Sequence, residues 1–451
     1  MNESIFREYD IRGVVGTDLT PEVVRLLGKG IGTYMVQHDA LKITVGRDGR
    51  NSSPSLRDYL TEGLRSAGVD VIDLGVIPTP VQYYSTHHLA GVQGGVMITG
   101  SHNPPEYNGF KLSLGTDSLF GDQIQAIRKI IKAEKFTAGE GKIEQTNVIP
   151  AYIKDLTGRL ALKRPVRVAV DPGNGVGGIT ADAVLSGIGA EVTVINGEVD
   201  GNFPAHHPDP TVEANLLQLK QMVLDGKFEL GIAFDGDADR IGIIDEKGGV
   251  LWGDQILALL ARNVLSELPG SRIIGEVKCS QLFFDDIEKH GGIGEMWKVG
   301  HSLIKQRMKE TGAELAGEMS GHIFFKHRFY GFDDAVYVAG RFLEIVSQTE
   351  KPVSRYLEDW QTVFNTPEIR IECPDKIKFE VVQQVRDYFR LKYEVIDIDG
   401  MRVKMPGGWG LLRASNTQPV VGLRFEAESP ERLEAIRIEV ENILMKIRDN
   451  L

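Results

Sequence analysis

Three aspartates at alternate positions, Asp235, Asp237 and Asp239, show the spacing in this chain that most clearly indicates chemistry. The apolar run at 230–234 precedes them and is typical of a buried strand, so they occupy a short loop at the end of that strand. Carboxylates placed in this way can converge on one hard cation through their oxygen atoms. The pattern therefore predicts a metal-binding loop.

The residues after the aspartates indicate which metal this loop would hold. A calcium EF-hand is the nearest alternative, because Glu246 stands where the bidentate glutamate of such a loop would be. However, Arg240 replaces the glycine of the sharp turn, and strands rather than helices are predicted on both sides. Magnesium fits better, since it accepts few protein carboxylates and completes its coordination shell with phosphate oxygen.

Ser101 is a residue that can carry such a phosphate. It follows the apolar run at 94–98, which predicts a strand, and it precedes Pro104 and Pro105. The prolines lack an N–H group and fix φ, so the bend that holds Ser101 is rigid, and it lies where open α/β sheets place their active sites. Lys111, ten residues after Ser101, adds a positively charged side chain. Taken in isolation, the segment is an ordinary Ser/Asn/Pro turn.

Further polar groups follow other predicted strands. Arg12 and Arg50 stand beside glycines, and each by itself is best interpreted as a surface ion-pair partner that contributes little. Lys278 follows the predicted strand at 273–277. His301, considered alone, is equally well explained as a loop histidine with satisfied hydrogen bonds and as a proton carrier.

Two groups of residues are suited to a sugar phosphate. Glu318 and Ser320 supply a charged acceptor and a second polar group, which vicinal sugar hydroxyls require. A guanidinium, two hydroxyls and an amide stand together between two predicted strands and can form a phosphate cradle; they belong to Arg413, Ser415, Asn416 and Thr417. A hairpin turn explains this second group about equally well.

Composition excludes several classes of protein. The chain has 451 residues and a net charge of -12, which argues against a broad nucleic-acid surface and requires a local basic site for any anionic ligand. Cys279 and Cys373 are too few and too scattered for a disulfide framework or a cysteine-based zinc site. We find no signal peptide and no apolar run long enough to span a bilayer, so we expect a cytoplasmic protein.

The length of the chain indicates several domains, since one hydrophobic core rarely supports more than about 250–300 residues. Strand and helix patterns predict three consecutive mixed-sheet α/β domains, at 1–147, 148–249 and 250–364. The first is expected to carry Ser101, the second the metal loop and the third the sugar loop. The pattern then changes to an antiparallel α+β domain at 365–451, which carries the phosphate cradle. We expect the active site in the central cleft.

The segment 99–111 resembles the active-site segment of the α-D-phosphohexomutases, whose serine sits in a Thr-x-Ser-His-Asn-Pro sequence. The segment 317–322 is similar to the sugar-binding loop of that family, Gly-Glu-x-Ser-Gly-His. The similarity is closest to the bacterial phosphomannomutase/phosphoglucomutase branch, and it extends from 6–13 to 413–417, which is nearly the full chain. Four motifs in the family's order are far more specific than any single one.

The resemblance implies an isomerase that moves phosphate between O1 and O6 of a hexose, through a phosphoserine at position 101 and a bound hexose 1,6-bisphosphate. It implies Mg²⁺ as the cofactor, bound by Ser101, Asp235, Asp237 and Asp239. The catalytic residues it implies are Ser101, Lys111, Arg240, His301, Arg12 and Lys278, with His301 as the first choice for the hydroxyl proton. The substrate-binding residues it implies are Tyr9, Glu318, Ser320, Arg413, Ser415, Asn416 and Thr417.

Two other functions remain open. Phosphoglucosamine mutase shares the same plan, but that branch usually has alanine before the serine and a different residue inside the sugar loop, where this chain has Gly100 and Met319. A non-enzymatic sugar-phosphate or metal binder is the second alternative, and the retention of Ser101, Lys111 and the aspartates speaks against it. The partners we expect are small sugar phosphates, with no nucleic acid and no membrane; we expect a monomer and leave an oligomer open.

Overall fold

The computed structural model describes residues 1–415 and 419–451, and these residues form three mixed sheets and one antiparallel sheet in chain order. The predicted class, three mixed-sheet α/β units followed by an antiparallel α+β unit around a central cleft, is confirmed. No helix within the described residues combines the length and the apolar character that crossing a membrane requires.

The first unit is built around a mixed sheet. Its elements are a 3₁₀ turn (Glu3–Ile5), β1 (Ile11–Val14), α1 (Pro21–Gln37), β2 (Lys42–Arg47), α2 (Ser53–Ser66), β3 (Asp70–Val76), α3 (Thr79–His88), β4 (Gly94–Ile98), β5 (Tyr107–Leu114), β6 (Asp117–Ser118), α4 (Asp122–Lys132) and β7 (Ile143–Gln145). The strand order is β1-β5-β4-β2-β3-β7, with β6 beside β5. Every residue of β4 is buried, as its apolar sequence predicts, and β4 runs parallel to β2, so the two strands end at the same edge.

The second unit repeats the mixed plan. Its elements are α5 (Ile149–Arg159), β8 (Arg167–Asp171), a 3₁₀ turn (Val176–Ile179), α6 (Ala181–Gly187), β9 (Glu191–Val194), a 3₁₀ turn (Glu213–Leu216), α7 (Leu217–Gly226), β10 (Leu230–Phe234), β11 (Ile241–Asp245) and β12 (Val250–Leu251). Strands β10 and β11 pair antiparallel and bring Phe234 opposite Ile241, so a tight loop joins them. Strand β12 extends this sheet two residues past the expected boundary at 249, and the boundary itself remains a prediction.

The third unit is smaller. Its elements are α8 (Gly253–Glu267), β13 (Arg272–Glu276), α9 (Gln281–Lys289), β14 (Ile293–Trp297), α10 (His301–Thr311), β15 (Leu315–Gly317), β16 (Ile323–Phe325), α11 (Ala335–Ser347) and a 3₁₀ turn (Val353–Arg355). The sheet order is β14-β13-β15-β16, and β16 alone among these is antiparallel to its neighbour. One hydrophobic cluster extends from Ile72 to Tyr356; it runs through the second and third units and includes residues of the first, so these units share a core.

The fourth unit has its own core and only antiparallel pairs among its described strands. Its elements are β17 (Phe364–Asn365), β18 (Ile369–Glu372), α12 (Lys378–Arg390), β19 (Glu394–Ile396), β20 (Met401–Met405), β21 (Gly408–Ala414), β22 (Val420–Ala427) and α13 (Pro430–Arg448). Helix α13 begins where the sequence indicates, because Ser429 accepts a hydrogen bond from the backbone N–H of Arg432 and Pro430 follows it.

Candidate active site

One cleft of about 850 Å³ lies between the four units, and residues of each unit line it. Eleven of the predicted site residues lie in its wall: Tyr9, Arg12, Ser101, Lys111, Arg240, Lys278, His301, Glu318, Ser320, Arg413 and Ser415. Asn416 and Thr417, also predicted for the site, lie outside the described residues. Most of these side chains follow the carboxyl end of a strand, which is where α/β sheets bind ligands. The roles assigned to the individual residues remain predictions.

Ser101 lies on the floor of this cleft, in the loop between β4 and β5. Its backbone has a φ of 49°, in the left-handed region, and only 3% of the residue is exposed. The hydroxyl Oγ donates a hydrogen bond of 2.8 Å to Oδ2 of Asp235, which belongs to the second unit. Gly236 permits this approach, since a Cβ there would lie 2.5 Å from the carbonyl oxygen of Ser101. The predicted nucleophile and the predicted metal loop are therefore in direct contact.

The acidic triad forms the layer directly behind Ser101. Oxygen atoms of Asp235, Asp237 and Asp239 lie within 4.8 Å of one another, and all three side chains are buried. Oδ1 of Asp237 and Oδ1 of Asp239 have no hydrogen-bond partner among the described residues. Buried carboxylate oxygens without a donor are costly unless a cation meets them, so the donor set fits a hard divalent metal ion.

Charge is distributed unevenly within the triad. Burial, followed by the charges of Asp237 and Asp239, raises the pKa of Asp235 well above its ordinary value. Burial acts in the same direction on Asp237, but the ammonium of Lys111 and a hydroxyl donated by Thr79 outweigh it and lower the pKa of that carboxyl. The protein environment therefore raises the proton affinity of Asp235 and lowers that of Asp237.

Lys111 is the cation nearest the triad. Its Nζ lies 2.8 Å from Oδ2 of Asp237 and 2.5 Å from Oδ2 of Asp239, and the residue is only 6% exposed. Burial alone would lower the pKa of Lys111, but the two carboxylates raise it well above its ordinary value. Lys111 is therefore a fixed positive charge next to the place where a phosphoryl group on Ser101 would stand.

Arg12 and Arg240 supply further cations on either side of Ser101. Arg12 donates to Oδ2 of Asp10 at 2.6 Å and to the side chain of Asn103 at 2.9 Å, and it is a lining residue rather than a surface ion-pair partner. Arg240 donates from Nε to Nε2 of His322 at 2.9 Å. Both guanidinium groups are thus held by neighbours while still facing the cleft, as an anion site requires.

Two histidines lie side by side in the cleft wall, with ring centroids 5.6 Å apart. Burial, and next the charge of Lys305, lower the pKa of His301 well below its ordinary value, so its imidazole is neutral near pH 7 and can accept a proton. His322 was considered only as part of the sugar-loop motif. Its Nδ1 lies 3.0 Å from Oδ2 of the buried Asp333, which orients the ring.

Glu318 and Tyr9 meet at the loop before α10. Oε1 of Glu318 accepts a hydrogen bond of 2.7 Å from the backbone N–H of Gly300, and the hydroxyl of Tyr9 donates to the carbonyl oxygen of Val299 at 2.9 Å. The ring of Tyr9 fills the space that a Cβ of Gly300 would need, since that Cβ would lie 2.6 Å from it. These contacts join the first unit to the loop that carries His301.

The fourth unit closes the far end of the cleft. Arg413 on β21 donates from Nε to Oδ2 of Asp399 at 3.2 Å, and the same oxygen accepts from the backbone N–H of Val299 at 3.1 Å. Lys278 stands opposite, with Nζ 3.4 Å from Glu368. Arg370 and Arg424, which the sequence analysis did not single out, add cations to this end. A net-negative chain thus presents a basic pocket, as expected for an anionic ligand.

The interpretation of Arg50 as a surface residue is wrong. Only 1% of Arg50 is exposed, and its guanidinium lies beneath the Ser101 loop, where it donates hydrogen bonds to backbone carbonyls. The signal that indicates this position is its place after β2, because β2 lies beside β4 and runs parallel to it. Thr79 and Asp333 were also missed. Thr79 reaches Asp237 across 158 positions of the chain, whereas Asp333 lies close to His322 in the same unit, and no local pattern marks either residue.

Comparison with known proteins finds the same four-unit division. Four family models, all described as phosphoglucomutase/phosphomannomutase, match this chain: alpha/beta/alpha domain I at residues 3–138, domain II at 150–249, domain III at 252–363 and the C-terminal domain at 368–443. A serine above an acidic triad, in a basic cleft between four such units, places the chain in the class of phosphohexomutases. In particular, the chain belongs to the phosphoglucomutase/phosphomannomutase family.

Individual relatives agree over the full length. The chain is 45% identical to the phosphomannomutase/phosphoglucomutase of Pseudomonas aeruginosa, over 99% of this chain and 97% of that protein. It is 43% identical to the phosphoglucomutase of Neisseria gonorrhoeae, over 97% of this chain and 96% of that protein. A crystal structure of a phosphoglucomutase/phosphomannomutase family protein from Burkholderia thailandensis superposes with a TM-score of 0.94 at 41% identity, covering 99% of this chain and 98% of that one.

Proposed function

We propose that this protein interconverts hexose 1-phosphate and hexose 6-phosphate, with mannose and glucose as the sugars, by way of a phosphoserine at position 101. The observation that carries the proposal is the contact between the hydroxyl of Ser101 and Asp235, made on the floor of a cleft whose walls carry cations from every unit. The names of the relatives from Pseudomonas and Neisseria support the choice of sugars.

The first step transfers the phosphoryl group from Ser101 to the free hydroxyl of the bound sugar monophosphate. A bond forms between phosphorus and the sugar oxygen, and the bond between phosphorus and Oγ of Ser101 breaks. The proton that leaves the sugar hydroxyl passes through a base in the cleft, for which His301 is the first choice, and ends on Oγ. Asp235 then accepts a hydrogen bond from that hydroxyl, as it does in the structure.

The second step requires the bound hexose 1,6-bisphosphate to turn over, so that its other phosphate meets Ser101. Glu318 and Ser320 can hold two adjacent equatorial hydroxyls in either orientation. Arg413 and Ser415, together with Asn416 and Thr417, hold the phosphate that is not reacting. A bond then forms between Oγ of Ser101 and the phosphorus of that phosphate, and the bond from this phosphorus to the sugar oxygen breaks. The proton of Oγ passes through the same base to the sugar oxygen, which releases the isomerised monophosphate and restores the phosphoserine.

The metal of this site is proposed to be Mg²⁺. Asp235, Asp237 and Asp239 would hold it, together with an oxygen on Ser101, and the two unpartnered oxygens of Asp237 and Asp239 are the observation that supports the assignment. When bound, Mg²⁺ supplies positive charge next to the transferring group. Lys111 and Arg240 stand beside the same position and stabilise charge that develops on the phosphoryl oxygens.

The proposal is tested by measuring the conversion of mannose 1-phosphate, glucose 1-phosphate and glucosamine 1-phosphate side by side, with Mg²⁺ and a catalytic amount of glucose 1,6-bisphosphate. We expect comparable kcat/KM for the first two sugars, because no residue placed in the cleft is assigned to C2, where they differ. A clear preference for glucosamine 1-phosphate would replace the proposal with the phosphoglucosamine mutase alternative. If none of the three sugar phosphates is converted, the remaining interpretation is a non-enzymatic protein that binds sugar phosphate or metal.

A further inference from the structure

Arg50 lies beneath the loop that carries Ser101 and has no place in the mechanism above. Its side chain is 0% exposed and does not line the cleft, so it cannot touch a substrate. A guanidinium has five N–H donors in a fixed planar arrangement. A buried guanidinium needs an acceptor for each donor, and the position of those acceptors reveals what it holds.

The acceptors of Arg50 are almost all carbonyl oxygens of one loop. Nη2 donates to the carbonyls of Ser101 at 2.8 Å and Asn103 at 2.5 Å, and Nη1 donates to those of Pro104 at 2.6 Å and Tyr107 at 3.1 Å. Nε completes the set with a hydrogen bond of 3.1 Å to Oδ2 of Asp48. Four of the five donors therefore fix the backbone of the segment 101–107.

The surroundings of Arg50 are built to fit it. Oδ2 of Asp48 accepts from Nε and also from the backbone N–H of Gly100 at 3.1 Å, so one carboxylate joins the guanidinium to the start of the loop. Gly100 leaves the room that the guanidinium occupies, because a Cβ there would lie 2.4 Å from its central carbon. The ring of Phe203, from the second unit, faces the guanidinium with its centroid 5.2 Å away.

This arrangement acts directly on the reacting residue. Ser101 has a left-handed backbone, which a residue with a Cβ adopts only when its surroundings impose it. In a trans peptide the carbonyl and the following N–H point to opposite sides, so the bond from Arg50 to the Ser101 carbonyl turns the N–H of His102 away from Arg50. That N–H has no backbone acceptor among the described residues, so it is left available to an anion at this loop.

We propose that Arg50 is a positioning residue for phosphoryl transfer, which holds the backbone of the Ser101 loop in the one conformation that aims Oγ at the substrate. The inference rests on the proposed function, in which Ser101 carries the phosphoryl group. Arg50 acts through Ser101 and contributes no contact to the sugar. Its loss should therefore lower kcat and leave the binding of substrate nearly unchanged.

The experiment compares Arg50→Lys, which keeps the charge and loses the planar set of donors, with Arg57→Lys. Arg57 is a suitable control because it lies in the same unit, pairs with Asp73 and makes no contact with the loop. For Arg50→Lys we expect kcat to fall by about 10²-fold, the scale reported for misplacement of reacting groups by about 1 Å, with KM nearly unchanged. Arg57→Lys should keep the kcat of the wild type.

Hydrogen exchange of the segment 99–107 gives a readout that does not depend on activity. The N–H groups of Ser101, Asn103 and Tyr107 are hydrogen-bonded within the loop, and we expect them to exchange faster in Arg50→Lys than in the wild type or in Arg57→Lys. If the wild type shows no mutase activity, the proposed function fails, and exchange alone decides whether Arg50 holds the loop.

Two results would overturn the inference. One is unchanged exchange of 99–107 together with an unchanged kcat in Arg50→Lys. The other is a loss of activity that equals the loss of folded protein measured by circular dichroism, because a residue needed only for folding would produce that. If Arg50→Lys does not fold, Asp48→Asn is measured instead, because it weakens the hold on the same guanidinium and keeps Arg50. For Asp48→Asn we expect a smaller fall in kcat at constant KM. A loss of kcat in proportion to the loss of folded protein is again the contrary result.

Discussion

Replacing Lys111 by methionine tests the charge balance of the site most sharply. The substitution keeps the length and most of the apolar stem of the side chain, and it removes the ammonium that lies 2.8 Å from Asp237 and 2.5 Å from Asp239. Both carboxylates are 0% exposed, so water cannot take the place of the ammonium. Within the described residues, Lys111 is the only cationic side chain that hydrogen-bonds to Asp237 and Asp239. The variant therefore tests the loss of that one charge.

The expected size follows from these geometries. Removing one partner of a buried ion pair costs about 3–5 kcal/mol, since it leaves a charge buried without compensation. Two carboxylates lose their partner here, so we expect the upper part of that range in protein freed of metal with EDTA. This corresponds to a fall in melting temperature of roughly 15–20 °C for units of this size. Added Mg²⁺ should restore part of the loss, because a cation bound by the same carboxylates replaces the missing charge.

The assay is thermal unfolding of the wild type and Lys111→Met, in EDTA and in Mg²⁺, with mutase kinetics on the same samples. Lys309→Met is the matched control, because Lys309 pairs with Asp117 at 2.7 Å while both side chains remain more than half exposed. Such a surface pair contributes less than about 1 kcal/mol. The reasoning is refuted if Lys111→Met melts within the range of the control in EDTA, or if Mg²⁺ restores nothing.

Three further results are expected. Asp237→Asn should lower kcat by at least about 10²-fold at saturating Mg²⁺ in steady-state assays, since it removes a preorganised charge, and turnover near that of the wild type would count against the metal loop. Glu318→Ala should lower kcat/KM by about 10- to 100-fold for mannose and glucose phosphates in parallel, and a variant that loses only one sugar would show that this loop reads C2. Burial raises the pKa of Asp334 to about 7, although its carboxyl accepts hydrogen bonds from Tyr337 and Tyr152. The folded state thus binds this proton more tightly than the unfolded state, so the contribution of Asp334 to stability is present below about pH 4 and is lost as the pH rises to about 7. In thermal unfolding at pH 8, Asp334→Asn should therefore be at least as stable as the wild type. A lower melting temperature of the variant would contradict this.

The strands that deliver the site are the part of the fold that the sequence predicts best. The apolar runs that become β4 and β10 are buried along their whole length, and the polar residues directly after them form the two central loops. Local composition is sufficient here, because a strand buried on both faces must be apolar and must end where polar residues begin. The sequence did not predict β12 and β17 as strands. Each is two residues long, and its pairing with β11 or β22 specifies it rather than a pattern of its own.

Residues whose roles depend on contacts between distant parts of the chain could not be predicted from local sequence patterns. Thr79 donates to Asp237 across 158 positions of the chain, and Asp399 accepts from Val299 across 100 positions. Arg50 was misread for the same reason. Arginine beside glycine after a strand is usually exposed, and only the adjacency of β2 and β4 reveals that this one lies under the Ser101 loop. The order of the strands in the sheet determines where Arg50 lies, and no single stretch of sequence specifies that order.

The central claim, that Ser101 carries the phosphoryl group, is tested most directly by phosphopeptide mapping of the active protein after incubation with glucose 1,6-bisphosphate. Ser101 is the hydroxyl that both lines the cleft and lies 2.8 Å from the triad, so we expect a single phosphate, on the peptide that contains 99–111 and on Ser101 itself. The same mapping of Ser101→Ala should find none, and that variant should have no mutase activity. A protein that turns over sugar phosphates with Ser101 unmodified, or with its phosphate on another residue, would contradict the account.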